Sequence, residues 1–437
     1  MTQHAAEYRM LEHRAAWLTV LAGGFNAFFA FMTFGSSLLM LYFMKLDLPM
    51  DKIGRLLSFF PFAGVIAVVL APLTARFGYK RTFCLFYGVR KFVILAALAT
   101  PVIMDRFGFD AGVAYVTVVI LLFTLCRAIA ETGYYPWSLT FVPSEVRGRY
   151  SAATSLVGSL GGLTALVIAN QALRRSSELG DFTLLIGVGA VVGVVGVVLH
   201  AFVPGGEPMH RTVRVGMYVR KILAALGRRE FRRFLLAVSL ATISAAPMAF
   251  LPAYLKKTIA MPDQDIVLIN MAMLVGGIAG SVFWGRVADR LGGRRTQMLG
   301  LVLGCVFPMF WLLLPRGDAG VYAAASLYVG VAIALSGGAI GVGTAVGSSK
   351  HLFGQLIPPR RRAEFSAAWY ASIGLAGGAG PLIVGHLLVV LEQRPLAIAD
   401  VSASPFAILF AATSLLQLAA AAILATGGGT KPVANSQ

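Results

Sequence analysis

Apolar residues in this chain gather into runs of roughly 20 with few charges inside them, long enough to cross about 30 Å of hydrocarbon as helices. A hydropathy window of roughly 19 residues resolves about twelve such spans. They lie near 16–44, 54–75, 83–104, 114–141, 150–171, 182–203, 233–255, 265–286, 297–314, 320–347, 365–391 and 404–425. The alternating segments of about ten residues that mark a transmembrane barrel are not seen. The pattern predicts an all-α integral membrane protein. The opening MTQHAAEYRMLEHRAAW leads into a segment too long for the apolar core of a signal peptide, so the first span is expected to be retained.

Composition sharpens this picture. Of 437 residues, 58% are hydrophobic and 13% charged, where a soluble domain carries about 25% charged residues. The formal charge of +18 raises the question of nucleic acid, and the placement of the basic residues answers it. With a cytoplasmic N-terminus, about 24 Lys and Arg fall inside and about 10 outside, as the positive-inside rule expects. The charge therefore reports topology: many crossings of a bacterial-type inner membrane, both termini cytoplasmic, and no nucleic-acid partner. The largest basic cluster, Arg211 to Arg233, is read as a linker held at an anionic leaflet. Cys84, Cys126 and Cys305 all fall inside spans and imply no disulfide framework.

An internal repeat divides the chain. APLTARFGYKRT (Ala71 to Thr82) after span two returns as GRVADRLGGRRT (Gly285 to Thr296) after span eight, with Arg76, Gly78, Arg81 and Thr82 matching Arg290, Gly292, Arg295 and Thr296. PSEVRGRYSA (Pro143 to Ala152) returns as PPRRRAEFSA (Pro358 to Ala367) in nearly the same register. LPMD at Leu48 and MPDQD at Met261 open spans two and eight in the same frame. This predicts two pseudo-symmetric six-helix halves, 1–203 and 233–437, joined by a basic cytoplasmic linker over 204–232. Parallel six-span repeats are one recognised way to build a secondary transporter.

GRVADRLGGRR resembles the loop motif of the major facilitator superfamily, and the copy after span two, the RGR turn after span four and GLAGGAGPLIVG (Gly374 to Gly385) resemble that superfamily too. The resemblance covers essentially the whole chain and implies alternating-access transport, with the loop acting as a cytoplasmic latch. On physical grounds alone, Gly285 is expected to let two helices approach and Gly292 to permit a tight turn. Arg290, Arg294 and Arg295 are expected to hold the loop at the surface, with Asp289 pairing with them or with the next helix start. A plain positive-inside anchor explains the same residues. The first half carries Ala71 and Ala75 where the motif has Gly and Asp, so the latch is expected to be asymmetric, with Arg76 and Gly78 on one side. Asp289 is then expected to face the turn that starts at Arg147.

One stretch, LCRAIAETGYYPW (Leu125 to Trp137), carries the chemistry. Glu131 is the acidic residue placed well inside a span, and an Arg or an acid at mid-membrane costs about 2.5–3.5 kcal/mol on insertion scales. Arg127 and Glu131 stand four residues apart and share a helical face, which allows a pair. The resemblance implies that span four lines the central cavity, making them a substrate or proton-coupling site. A self-neutralising structural pair is the competing reading.

Weaker candidates surround this pair. Asn26 and Asn270 are ligand contacts or interhelical glue. Tyr134, Tyr135 and Trp137 form an interfacial aromatic belt or stack on a ligand, Tyr134 being the one assigned to the site. Arg90 and Lys91, roughly 13 Å from the cytoplasmic end of span three, are expected to snorkel outwards. His386 is expected to pack or hydrogen-bond inside span eleven. Pro247, Pro252 and the run SGGAIGVGTAVG (Ser336 to Gly347) indicate broken or closely packed helices.

The function expected is secondary active transport of a small organic solute, anionic or polar given the surplus of Arg, with protons as candidate coupling ion. Efflux of hydrophobic compounds by proton antiport is the alternative. Its weight is lowered because SLVGSLGGLTALVIANQ lacks the Gly-Pro that the resemblance would place in span five. A non-transporting sensor and a membrane enzyme are the remaining rivals. No acid, base or metal set gathers in sequence to support an enzyme, and no phosphate-binding loop supports direct use of ATP. No cofactor or metal is expected, and the partners are the solute, protons and the bilayer.

Overall fold

In the computed structural model, residues 2–142, 147–208, 220, 223–316, 323–357, 361–394, 397–398, 401–402 and 404–426 are described. Eleven helical stretches among them are long and apolar enough to cross a membrane. A further helix, Met50–Phe77, has 28 residues and fills the second place in the order, so the chain carries about twelve spans. The helices are α1 (Thr2–Thr33), α2 (Ser37–Lys45), α3 (Met50–Phe77), α4 (Tyr79–Ala96), α5 (Thr100–Phe107), α6 (Phe109–Phe141), α7 (Arg147–Arg175), α8 (Leu179–Ala201), α9 (Arg229–Ser244), α10 (Ala246–Ala249), α11 (Leu251–Lys257), α12 (Asp263–Leu291), α13 (Gly293–Phe310), α14 (Ala324–His351), α15 (Arg362–Gln393) and α16 (Pro405–Ala425). A hairpin of two-residue strands, Ala397–Ile398 with Val401–Ser402, precedes α16.

The chain groups into two compact units, Met1–Asp47 with Ile66–Arg214, and Leu48–Val65 with Val215–Gln437. The start of α3 packs in the second unit, where Gly54 lies against the backbone of Pro381 and Gly385. In the linker, 209–219 and 221–222, which include Arg211 and Arg214, lie outside the described residues.

The repeat read from the sequence is built into each unit. Gly78 (φ +93°) starts α4 and Gly292 (φ +79°) starts α13, both in backbone that a side chain would strain. Thr82 Oγ1 donates to Gly78 O at 3.0 Å, and Thr296 Oγ1 donates to Gly292 O at 2.8 Å. The 3₁₀ breaks also repeat, at Ala97–Ala99 after α4 and Trp311–Leu313 after α13. A 3₁₀ turn frees a carbonyl, and a buried tyrosine takes each one: Tyr42 hydroxyl donates to Ala97 O at 2.7 Å, and Tyr254 hydroxyl to Trp311 O at 2.8 Å. Tyr42→Phe and Tyr254→Phe are each expected to cost about 1 kcal/mol. Because they sit in different units, the double variant should lower the thermal midpoint by the sum of the singles. A clearly larger loss would mean that the two sites are coupled.

The prolines and glycines act as breaks and contacts. Pro247 and Pro252 open α10 and α11, so span seven is in three pieces. The glycine-rich run lies along α14, where Gly338 meets Met273 O of α12 and Gly343 meets the Trp284 ring. Gly276 and Gly280 of α12 return the contact on Leu335 O and Ala339 O, the close approach that small residues allow between membrane helices. Gly285, by contrast, has nothing within 4 Å of where a Cβ would stand. The helix contact expected there is made one and two turns earlier.

Candidate functional site

The first unit gathers its interior charges where α1, α4, α6 and α8 pack. On α6, Arg127 Nε donates to Glu131 Oε1 at 2.8 Å, so the i,i+4 pair foreseen from LCRAIAETGYYPW forms. Its side chains keep 31% and 55% of their surface, and the Arg127 guanidinium stands 5.0 Å from the Phe34 ring centroid. The pair is thus partly open and held on one flank by an aromatic face.

Behind it lie two cations that do not snorkel. Arg90 and Lys91 are 2% and 1% exposed. Arg90 Nη2 and Lys91 Nζ both donate to Asn26 Oδ1, at 2.7 and 3.2 Å. The guanidinium lies 3.9 Å from the Tyr87 ring centroid and the ammonium 3.1 Å from that of Phe29. A desolvated cation–π contact is worth about 2 kcal/mol, comparable with the insertion cost of one such charge, which explains why these side chains stay inside. Tyr87, Arg90 and Lys91 stand at i, i+3 and i+4, one helical face, and that spacing is the sequence signal for an inward aromatic–cation cluster. Arg90 is within electrostatic reach of both Arg127 and Glu131, so the two clusters form one charged region.

Asn26 is therefore an interhelical acceptor that gathers both cations. Asn270 shows the opposite behaviour, its Oδ1 buried without a hydrogen-bond partner among the described residues. Tyr134 shares a hydrogen bond with Tyr150 at 3.0 Å, and Tyr150 donates to Thr19 at 3.0 Å, tying α6, α7 and α1. Trp137 is not a belt residue: it is fully buried and donates Nε1 to Pro204 O at 2.9 Å. The side chain of Tyr135 lies outside the described residues. His386 is exposed on α15 and does not pack inside the span as expected. The interior histidine of the first unit is His200, buried among Phe83, Tyr87, Tyr134 and Trp137.

In the second unit the loop motif is engaged in a way the sequence did not indicate. Asp289 accepts from Lys350 Nζ at 2.5 Å, not from its neighbouring arginines. Arg294 Nε donates to Leu424 O at 3.0 Å and Nη2 to Ala425 O at 3.1 Å, placing a cation on the C-terminal carbonyls of α16, where the helix dipole favours it. Arg290 and Arg76 stand near the ends of α12 and α3. Arg147 opens α7, with its side chain outside the described residues. No group of three or more His, Cys, Asp or Glu suited to a metal occurs among the described residues.

The sequence profile of the Major Facilitator Superfamily matches residues 233–432, which is most of the second unit. The nucleoside transporter NupG is similar over 95% of this chain and 98% of its own, with a TM-score of 0.65 at 12% identity. A D-xylose-proton symporter is similar over 94% and 97%, with a TM-score of 0.67 at 14% identity. Residues 233–432 thus carry the Major Facilitator Superfamily profile, on a chain with the fold of these solved transporters. Among curated relatives, Autophagy-related protein 22 of Pyricularia oryzae is 29% identical over 213 residues, 47% of this chain and 30% of that protein. The chain thus aligns with under a third of the length of that relative.

Proposed function

We propose that this chain moves a small organic solute, anionic or polar, across a cell membrane by alternating access, with Arg127 and Glu131 at its site and protons as the coupling ion. The observation that carries the reading is the 2.8 Å pair on α6, half open and backed by buried cations. A structural pair has no need of exposure, whereas intramembrane ions that serve transport face water-filled space. Because both groups ride on one helix, a rigid motion cannot part them. A third group must do so. An anionic group on the solute that draws Arg127 away leaves Glu131 able to take a proton, which couples the two movements. A D-xylose-proton symporter shares this fold, so proton coupling to a small polar solute has a precedent on it. The placement of Lys and Arg supports a bacterial-type inner membrane with both termini cytoplasmic. The turn glycines Gly78 and Gly292, with Asp289 and Arg294, are assigned to the cytoplasmic latch, and the halves 1–203 and 233–437 to the moving bodies.

The test is proton movement into proteoliposomes holding wild type or Glu131→Gln, screened against organic acids, sugars and hydrophobic cations. Solute-evoked proton flux and pH-dependent uptake are expected in wild type, and uptake without pH dependence in the variant. Unchanged pH dependence in Glu131→Gln would remove Glu131 as the coupling group, and a response to hydrophobic cations alone would turn the reading to drug antiport.

A further inference from the structure

Within the reading of the chain as a transporter of a small solute, Arg90 and Lys91 have no role yet. Three cations, Arg90, Lys91 and Arg127, stand in this region against one carboxylate, Glu131, and that carboxylate is bonded to Arg127. Among the described residues, no acid pairs with Arg90 or Lys91. Their shared acceptor, Asn26 Oδ1, is neutral, and its two lone pairs are both used. Arg90 Nε is buried with no acceptor among the described residues. Aromatic faces stabilise the two charges without neutralising them.

The fold does not require these cations. In the register of the repeat, the second unit carries Gly304 and Cys305 at the equivalent places on α13 and forms the same helix, the same turn and the same 3₁₀ break. The first unit, in turn, makes room for its lysine. A Cβ at Gly193 of α8 would stand 2.9 Å from Phe29 Cγ and 3.0 Å from Lys91 Cδ. Two buried positive charges, kept by a fold that does without them in its other half, call for an anion.

We propose that Arg90 and Lys91 are the subsite for the oxyanion of the transported solute, a carboxylate or a phosphate, and that Asn26 Oδ1 holds the place of that group in this structure. The amide oxygen stands where one oxygen of the anion would accept from both cations. The free Nε of Arg90 is a donor for the second, in the forked geometry that a guanidinium offers to carboxylate and phosphate alike. Displacing Asn26 exchanges a neutral acceptor for a charged one. The Arg127–Glu131 pair then stands beside the bound anion and responds to its charge.

The experiment is the thermal unfolding midpoint of the purified full-length protein, wild type, Asn26→Asp and Lys91→Met. Each is measured with mono- and dicarboxylates, inorganic phosphate, sulfate and a neutral sugar, against chloride at equal ionic strength. The wild type is expected to be stabilised by carboxylates or by phosphate, and whichever acts identifies the source of the oxyanion. Asn26→Asp supplies the missing charge internally. Its midpoint without ligand should rise by about 2–4 °C and its response to oxyanions should vanish. Lys91→Met should need about 30-fold more anion for the same shift, as loss of one partner of a buried charged contact implies. An oxyanion response equal in all three proteins would overturn the proposal. So would a wild-type response to the sugar alone, or a fall of the midpoint in Asn26→Asp. Should Lys91→Met fail to fold, the Asn26→Asp arm decides alone. Binding is read here without transport, so a wild type with no anion response but intact proton-coupled flux would sink this subsite and leave the proposed function standing.

Discussion

Gly338→Leu is expected to keep the second unit from assembling, while Gly341→Leu, three residues on in the same helix, leaves it folded. A Cβ at position 338 falls on the Met273 carbonyl oxygen of α12 and within 2.9 Å of Gly277 N, backbone atoms that cannot step aside as a flexible side chain does. The reciprocal contact of Gly276 on Leu335 O means that the two helices would have to part along more than one turn. Overpacking a core costs about 1–3 kcal/mol when side chains can adjust, and a helix pair forced apart belongs at or above the upper end. Gly341 has nothing within 4 Å of its Cβ position. The check is the thermal midpoint and monodispersity of both variants in detergent. Equal losses would show that the glycine run is needed for something other than this contact.

Exchanging the charges of the α6 pair, Arg127→Glu with Glu131→Arg, is expected to preserve folding and abolish transport. The swap keeps an i,i+4 ion pair and places the acid N-terminal to the base, the more favourable order along a helix. A pair that merely neutralises itself should therefore accept the exchange, with transport near the wild-type rate. If the pair serves the solute and the proton, the groups now stand one helical turn from where they are needed. Solute flux should then fall by about 100-fold or more, the scale on which misplaced groups act. Each single reversal places like charges together and should be worse in both respects. Proteoliposome flux beside thermal midpoints of the three variants separates the two readings, and full activity of the double variant would make the pair structural.

The architecture was legible in the residue pattern because membrane burial is a strong constraint. Runs of roughly 20 apolar residues gave about twelve spans, and the shared register of Gly78 and Gly292 with Thr82 and Thr296 gave the repeat. Both reappear as the same turn with the same hydroxyl-to-carbonyl bond. The Arg127–Glu131 pair was legible because helical spacing fixes which side chains share a face. The fate of Arg90 and Lys91 was not. Distance along span three tells how far a side chain must reach to water, but the choice to stay inside depends on Phe29 of α1 and Gly193 of α8, which only tertiary packing brings alongside. The same holds for Trp137, whose acceptor Pro204 is 67 residues away, and for Asp289, whose partner Lys350 is 61 residues away. Local charge suggested neighbouring arginines for Asp289, and a residue on another helix took the place.

The two units place bulk and bare backbone differently between their third and sixth helices. In the first, the long side chain is Lys91 on the third span and the bare backbone is Gly193 on the sixth. In the second, Gly304 on the ninth span is bare and the side chain of Gln417 on the twelfth fills the space. A side chain at 193 would press on the Phe29 ring and the Lys91 stem, so positions 91 and 193 are expected to vary together. Relatives that carry a larger residue at 193 should lack the long cation at 91.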